Sequence, residues 1–219
     1  MNLSLEVRLK IAKGVARGLA YLHEKKHVHG NVKPSNILLN SEMEPIISDF
    51  GIDLLLLNDN INHRGNGSFR QLVNQRTPQQ QQDILIGSTP SSYGTMGPSS
   101  STSGGQVPYQ APESLQNIKP NPKWDVYSFG VILLEILSGR VFSDRELDQW
   151  SIPGSIEEEK NRVLRMVDVA IKQEIEGREN VVLTCFKLGL NCVSLVPQKR
   201  PSMKEALQIL EKMSTFGIN

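Results

Sequence analysis

The chain has 219 residues, and its 24 lysines and arginines nearly balance its 23 aspartates and glutamates, which leaves a net charge of +1. With charges so evenly balanced, the sequence shows no basic patch, which argues against nucleic acid as a partner. The longest apolar runs, such as residues 54–57, are far shorter than the roughly 20 apolar residues of a membrane-spanning helix. The N-terminus does not resemble a signal peptide, and the length allows one domain.

The two cysteines, Cys185 and Cys192, lie seven residues apart in a segment with helical periodicity. That spacing separates them by roughly 10 Å at 1.5 Å per residue, which is too far for a disulfide. We interpret them as two core thiols of a protein from a reducing compartment.

The N-terminal quarter predicts one helix followed by a hairpin. From residue 4 to about residue 24, apolar residues recur at steps of three and four, which is typical of an amphipathic helix. These residues are Leu5, Leu9, Ala12, Val15, Ala16, Leu19 and Leu22. Two short apolar runs, at 37–39 and 46–47, then flank the polar residues 40–44. They predict a small β-hairpin that returns the chain to Asp49.

The composition changes between residues 58 and 108. This stretch is rich in Gln, Ser, Gly and Pro and poor in apolar residues, so it cannot bury enough surface to offset the entropy lost on ordering. We predict that it is disordered. Helical patterns return after it and predict four helices, at residues 124–137, 156–171, 181–193 and 202–213. Pro122 and Gly139 flank the first of these, and Ser202 forms a capping box with Glu205 in the last.

Four motifs follow one another along the chain. They are HGNVKPSN at residues 29–36, DFG at 49–51, APE at 111–113 and WDVYSFG at 124–130. Their order and spacing resemble those of protein kinases, whose catalytic loop commonly reads HRDxKxxxN. The resemblance extends from about residue 3 to residue 213. It implies a mainly α fold, that of the kinase C-terminal lobe, with a small β-hairpin at the catalytic cleft.

The parts that precede the catalytic loop of a kinase are not found in this sequence. Only 28 residues precede His29, whereas a kinase domain has roughly a hundred, including a Gly-rich loop over the phosphates and a strand lysine. Neither pattern occurs in the chain. The sequence therefore predicts a C-terminal lobe without its N-terminal lobe.

Asn31 stands where kinases have the catalytic aspartate, which accepts the proton of the substrate hydroxyl. A carboxamide can hold a hydroxyl but does not take up a proton near pH 7. By the same resemblance, Lys33 matches the lysine that neutralises the transferred phosphoryl group, and Asn36 and Asp49 match the two magnesium ligands. The resemblance thus implies Mg-ATP as cofactor, while Asn31 and the missing lobe argue against its use in this chain. The alternative for all four residues is a structural, hydrogen-bonding role.

Two further departures from the kinase pattern argue against catalysis. Gly30 replaces the arginine that pairs with a phosphate on the activation segment. Residues 106–109 read QVPY where the family commonly reads TxGY, and Pro108 lacks an N–H donor. The substrate-facing platform is therefore altered together with the base.

The resemblance assigns four other motif residues to architecture. His29 packs under the DFG motif, and Asp125 ties the backbone of the catalytic loop to the most apolar helix. Glu113 is expected to form a buried ion pair with Arg200, and breaking such a pair typically costs about 3–5 kcal/mol.

The longest matches narrow the family. HGNVKPSNILL at residues 29–39, KWDVYSFGVILLE at 123–135 and QKRPSM at 198–203 resemble plant leucine-rich-repeat receptor-like kinases. The His-Gly-Asn loop resembles a subgroup of these that is interpreted as pseudokinases. The first hypothesis is therefore a pseudokinase scaffold that binds other proteins, such as another receptor kinase. The alternatives are a Ser/Thr kinase that uses ATP and Mg²⁺ when its N-terminal lobe is supplied, and a fragment without independent function.

The same resemblance divides the chain into three regions. Residues 1–57 are the first part of the lobe, 58–108 an expanded and disordered activation segment, and 109–213 the second part of the lobe. It also implies a location on the cytoplasmic side of the plasma membrane for the family, and the cytosol for the chain as given, which carries no membrane span.

Overall fold

The computed structural model describes residues 3–51, 108–115, 119–148 and 155–215. All of them belong to one compact unit, formed by the chain on both sides of residues 54–105. The segment predicted to be disordered, residues 58–108, lies outside the described residues except for Pro108.

The first helix, α1, spans Leu5–Glu24. It begins there because the Ser4 side chain accepts a hydrogen bond from the Val7 N–H and so satisfies a free amide of the first turn. Its apolar stripe is buried, with Val15, Ala16 and Leu19 fully shielded from solvent. The helix predicted from residues 4–24 is confirmed.

Two short strands form the hairpin. Strand β1 spans Ile37–Leu39 and strand β2 spans Pro45–Ile47. They pair antiparallel, with Ile37 opposite Ile47 and Leu38 opposite Ile46. A 3₁₀ turn at Pro34–Asn36 leads into β1.

The central helix, α2, spans Pro122–Ser138. Asn121 caps it by accepting from the Lys123 N–H, and Pro122 occupies the first turn, where a missing N–H costs nothing. Residues 125–134 are all buried, so α2 is enclosed on every side and forms the middle of the core. Such a helix needs no amphipathic pattern, which explains its almost continuous apolar sequence.

Four further helices follow α2 in the described part of the chain. They are α3 (Asp144–Asp148), α4 (Ile156–Met166), α5 (Glu179–Cys192) and α6 (Met203–Thr215). Short 3₁₀ turns lie at Pro112–Leu115, Val169–Ile171 and Pro197–Lys199. Helix α5 packs mainly on α2, and α6 packs mainly on α1. The described part of the chain is thus mainly α with one small hairpin, which confirms the predicted fold class.

The helix predicted at residues 156–171 is shorter than expected. Helix α4 ends at Met166, and Val167 is extended. Asp168 then caps the following 3₁₀ turn by accepting from the Ala170 N–H at 2.9 Å, and its other oxygen lies 2.7 Å from Arg8 Nη2. These two donors, the Ala170 amide first, lower the pKa of Asp168. The helix ends here because the tertiary contact with Arg8 and the local cap together outweigh continued helical periodicity.

Among the described helices, none combines the length and apolar character that crossing a membrane requires.

Candidate functional site

The loop at residues 29–31 is fastened to the core by one buried carboxylate. Asp125 in α2 is 1% exposed. Its Oδ1 accepts from the Gly30 N–H and its Oδ2 from the His29 N–H, both at 2.8 Å. His23 Nε2, in the last turn of α1, lies 2.8 Å from the same Oδ2 and therefore donates to it. A buried charge is tolerated when it is this well hydrogen-bonded, so the loop is held at a defined depth.

His29 joins the loop to the end of the hairpin. Its buried ring places Nε2 2.9 Å from the Ser48 carbonyl, which can only accept, and Nδ1 accepts from the Asn31 N–H at 3.3 Å. This pattern fits the ring that carries one hydrogen, on Nε2. The Ser48 N–H in turn donates to the Asn36 carbonyl at 2.9 Å. The loop and the hairpin end are therefore one hydrogen-bonded unit.

Asn36 is buried, at 4% exposure, and its orientation follows from its partners. Its Nδ2 donates to the Asn31 carbonyl at 2.9 Å, and this directs the amide oxygen away from Asn31. The Ser35 hydroxyl lies 3.5 Å from that oxygen, a weak contact. The Asn31 side chain makes no hydrogen bond to any residue that the structure describes. The loop is thus assembled through the backbone of Asn31, and its carboxamide takes no part in that assembly.

Asp49 and Phe50 form the other side of the site. Asp49 has a left-handed backbone, with φ of 60°, and its side chain is exposed. The Phe50 ring is 44% exposed and makes edge contacts with two imidazoles, at 5.7 Å from His27 and 6.1 Å from His29. Lys33 is partly buried and has no acidic partner among the described residues. Within the described ranges, neither the Lys33 nor the Asp49 side chain takes part in an ion pair.

The oxygen donors of Asn36 and Asp49 fit a hard cation such as Mg²⁺, which usually keeps several waters and takes one or two protein carboxylates. A group of three or more His, Cys, Asp or Glu side chains suited to a metal is not found in the described ranges. Any metal here would thus depend on the nucleotide and water for its remaining ligands.

Arg200 and Glu113 meet in a bidentate pair, with Nη1 to Oε1 at 2.6 Å and Nη2 to Oε2 at 2.9 Å. The Arg200 side chain is fully buried, whereas that of Glu113 is 22% exposed. Arg200 also donates to the carbonyls of Lys123 and Ser194. The guanidinium therefore joins three segments: the 3₁₀ turn of Glu113, the start of α2 and the turn after α5.

Two family models match this chain. The model for the protein kinase domain matches residues 91–210, and that for protein tyrosine and serine/threonine kinases matches residues 1–72. The chain belongs to the protein kinase family.

Relatives from Arabidopsis thaliana place this kinase domain among plant receptor-like kinases. A probable leucine-rich-repeat receptor-like serine/threonine-protein kinase is 53% identical over 212 residues, which are 96% of this chain and 27% of the relative. A receptor protein kinase-like protein is 48% identical over 213 residues, 96% of this chain and 23% of the relative. A probable inactive leucine-rich-repeat receptor-like protein kinase is 33% identical over 220 residues, which are 98% of this chain and 28% of the relative. The chain spans about a quarter of the length of these relatives.

Sequence reasoning missed several residues of this kinase-domain site. His23 and Ser48 hold the loop and hairpin together, yet a histidine at a helix end and a serine before Asp49 carry no one-dimensional signal. The pair Tyr109–Glu135 was also missed: the Tyr109 hydroxyl donates to Glu135 at 2.7 Å. Burial, and then the Glu135 carboxylate, raise the pKa of Tyr109 well above its usual range. The phenol therefore stays protonated and anchors residue 109 to the C-terminal half of α2.

Proposed function

We propose that this kinase domain is a pseudokinase, whose catalytic-type loop serves structure and whose function is to bind other signalling proteins. The observation that carries the proposal is Asn31. The loop around it is fully assembled on Asp125, His29 and Asn36, yet the position that should accept a proton holds a carboxamide. General-base catalysis of this kind contributes roughly 10²–10⁴-fold in rate, so its loss leaves little turnover.

The names of the relatives are compatible with both a pseudokinase and an active kinase. Two relatives are named as probably inactive, and others are named as kinases without that qualifier. The family therefore includes proteins named as inactive, and Asn31 favours that group for this chain. The proposed partner is a second receptor kinase or another protein, at the cytoplasmic side of the plasma membrane.

Mg-ATP is the cofactor that the family implies. In this chain Asn36 and Asp49 would hold the cation, and Lys33 would face the phosphates. When bound, Mg-ATP supplies the transferable phosphoryl group. The chain's own residues would orient the nucleotide, but Asn31 would hold the substrate hydroxyl without taking its proton.

The test is a phosphotransfer assay of the purified 219-residue chain with radiolabelled ATP, Mg²⁺ or Mn²⁺ and a generic substrate. Incorporation is expected to equal that of an Asp49→Ala control. Millimolar Mg-ATP is also expected to leave the thermal midpoint unchanged. A ligand that did bind would raise the midpoint, because it would stabilise the folded chain by RT ln(1 + [L]/Kd). Incorporation well above the control would overturn the proposal.

The second candidate is an active Ser/Thr kinase that uses this lobe together with an N-terminal lobe. It is favoured by the retention of Lys33, Asn36 and Asp49 and by the orientation of the Asn36 amide. A transcript that encodes a Gly-rich loop and a strand lysine upstream of Met1 would support it, and activity of that longer protein would establish it. A third candidate, a fragment without function, predicts that the chain lacks a cooperative unfolding transition.

We also propose that residues 58–108 form an expanded activation segment between two parts of the lobe, 1–57 and 109–213. The proposal rests on the composition of the segment and on its place between Asp49 and Glu113. Limited proteolysis is expected to cut first within 58–108 and to leave two fragments that remain associated. Early cleavage within residues 124–137 would contradict the division.

A further inference from the structure

Three residues of α1 form a stripe beneath the hairpin. Lys10, Gly14 and Gly18 follow at four-residue steps and so lie on one face of the helix. Lys10 holds the hairpin turn: its Nζ donates to the Glu42 carbonyl at 2.6 Å and lies 3.0 Å from Glu44 Oε1.

The two glycines let β2 approach the helix backbone. A β-carbon at Gly14 would lie 2.3 Å from Pro45 Cγ and 2.6 Å from Pro45 Cδ, distances that real side chains do not reach. A β-carbon at Gly18 would lie 2.9 Å from Ile47 Cδ1. Pro45 is a rigid ring, while the end of Ile47 can rotate, so Gly14 is the stricter requirement.

The contacts of Lys10, Gly14 and Gly18 follow one another in the same order along α1 and along the hairpin. From Lys10 to Gly18 the helix rises about 12 Å, at 1.5 Å per residue. From Glu44 to Ile47 a strand rises about 10 Å, at 3.3 Å per residue. Strand β2 therefore runs along α1 in the same direction, in a groove that the glycines open.

The end of this groove coincides with the candidate site. Ser48 follows β2 directly, and its amide and carbonyl bind Asn36 and His29. Asp49 is the next residue. The depth and axial position of β2 on α1 thus determine where Asp49 stands relative to Asn36.

We propose that Lys10, Gly14 and Gly18 are positioning residues of the cleft, which seat the hairpin and thereby set the location of Asp49. Helices α2 and α5 pack mainly on each other, so their pairing is not expected to depend on this seat. The inference concerns how the cleft is built, and it holds for either the scaffold or the kinase function.

The test is Gly14→Ala in the full chain, followed by hydrogen exchange of individual amides. Alanine favours a helix by roughly 1 kcal/mol over glycine, so any loosening cannot come from α1 itself. The amides of Asn40 and Ser48 report on the hairpin, since both are hydrogen-bonded within it or to the loop. They are expected to exchange about tenfold faster or more, while amides of α2 and α5 keep their protection. Gly18→Ala is expected to have a smaller effect, because Ile47 can move aside.

Two further variants make the result specific. Arg17→Ala changes the neighbouring exposed position of α1 and is expected to leave hairpin exchange unaltered. Pro45→Ala removes the ring atoms that face Gly14, so the double variant Gly14→Ala/Pro45→Ala is expected to exchange as slowly as Pro45→Ala alone. Unchanged hairpin exchange in Gly14→Ala would overturn the proposal. Equally faster exchange throughout the lobe would also overturn it, as would a double variant whose hairpin amides exchange faster than those of Pro45→Ala alone.

Discussion

Arg200 shows at the scale of one residue how this lobe holds its segments together. Its guanidinium makes two bonds to Glu113, binds the carbonyls of Lys123 and Ser194, and lies 5.0 Å from the centre of the Tyr127 ring. The fork geometry of arginine satisfies all of these at once, which the point charge of lysine cannot do. The side chain is therefore a structural hub, independent of any chemistry at Asn31.

Arg200→Ala is expected to destabilise the lobe by about 3–5 kcal/mol, the cost of breaking a buried pair. That is a large share of the roughly 5–15 kcal/mol by which a domain is stable, so the midpoint of urea unfolding falls clearly. Arg17→Ala is the matched control, because its pair with Glu211 is exposed and 3.6 Å long and contributes little. Equal midpoints for Arg200→Ala and wild type would contradict a kinase-like lobe.

At the scale of elements, the crossing of α2 and α5 depends on two facing glycines. A β-carbon at Gly130 would lie 2.5 Å from Cys192 Cβ and 2.9 Å from the Gly189 carbonyl oxygen. At Gly189 it would meet Leu134, with Cγ and Cδ2 both at 2.8 Å. The obstacles to Gly130 are fixed to the backbone of α5, whereas Leu134 is a side chain. The closeness of the two helices is therefore set mainly at Gly130.

Gly130→Ala is expected to cost about 1–3 kcal/mol through overpacking, partly offset by the better helix propensity of alanine. Gly189→Ala is expected to cost less, since Leu134 can repack. Urea unfolding of the two variants, with Lys187→Ala as a control at an exposed position of α5, measures the difference. A larger loss of unfolding free energy for Gly189→Ala than for Gly130→Ala would show that Gly130 does not determine how closely the two helices approach.

At the scale of the whole molecule, the two thiols report on the integrity of the core. Cys185 and Cys192 are fully buried in α5, and burial raises the pKa of each to about 12. Since only the thiolate reacts, native thiols are protected both by burial and by protonation. The folded pKa lies above the unfolded one, so this contribution to stability is complete below pH 9 and is lost as the pH rises towards 12.

Alkylation with iodoacetamide at pH 8 is therefore expected to be negligible for the folded lobe and to rise with urea along the unfolding curve. Both cysteines are expected to react together, because both belong to the helix that packs on α2. Single variants, Cys185→Ala and Cys192→Ala, separate the two rates. Rapid labelling of either thiol without urea would show that α5 is not stably packed.

Much of this architecture follows from local pattern. The spacing of apolar residues predicts α1, Pro122 predicts the start of α2, and the predicted Ser202–Glu205 capping box is present at the start of α6. These features depend on neighbours within about four residues, which is the range over which helix signals act. The kinase motifs predict the family because their order and spacing are read directly from the chain.

Other features depend on residues far apart in sequence and have no local signal. The end of α4 at Met166 depends on Arg8, about 160 residues away. The kinase motifs indicate Asp125 as the anchor of the loop at His29, whereas the contact of His23 with the same carboxylate has no signal in the sequence. The glycines of α1 read as weak points of a helix, and only the packing of Pro45 and Ile47 against them gives them a role. Periodicity along the chain reveals which face a residue takes, whereas depth, close approach and charge pairing are determined by what the folded chain brings against that face.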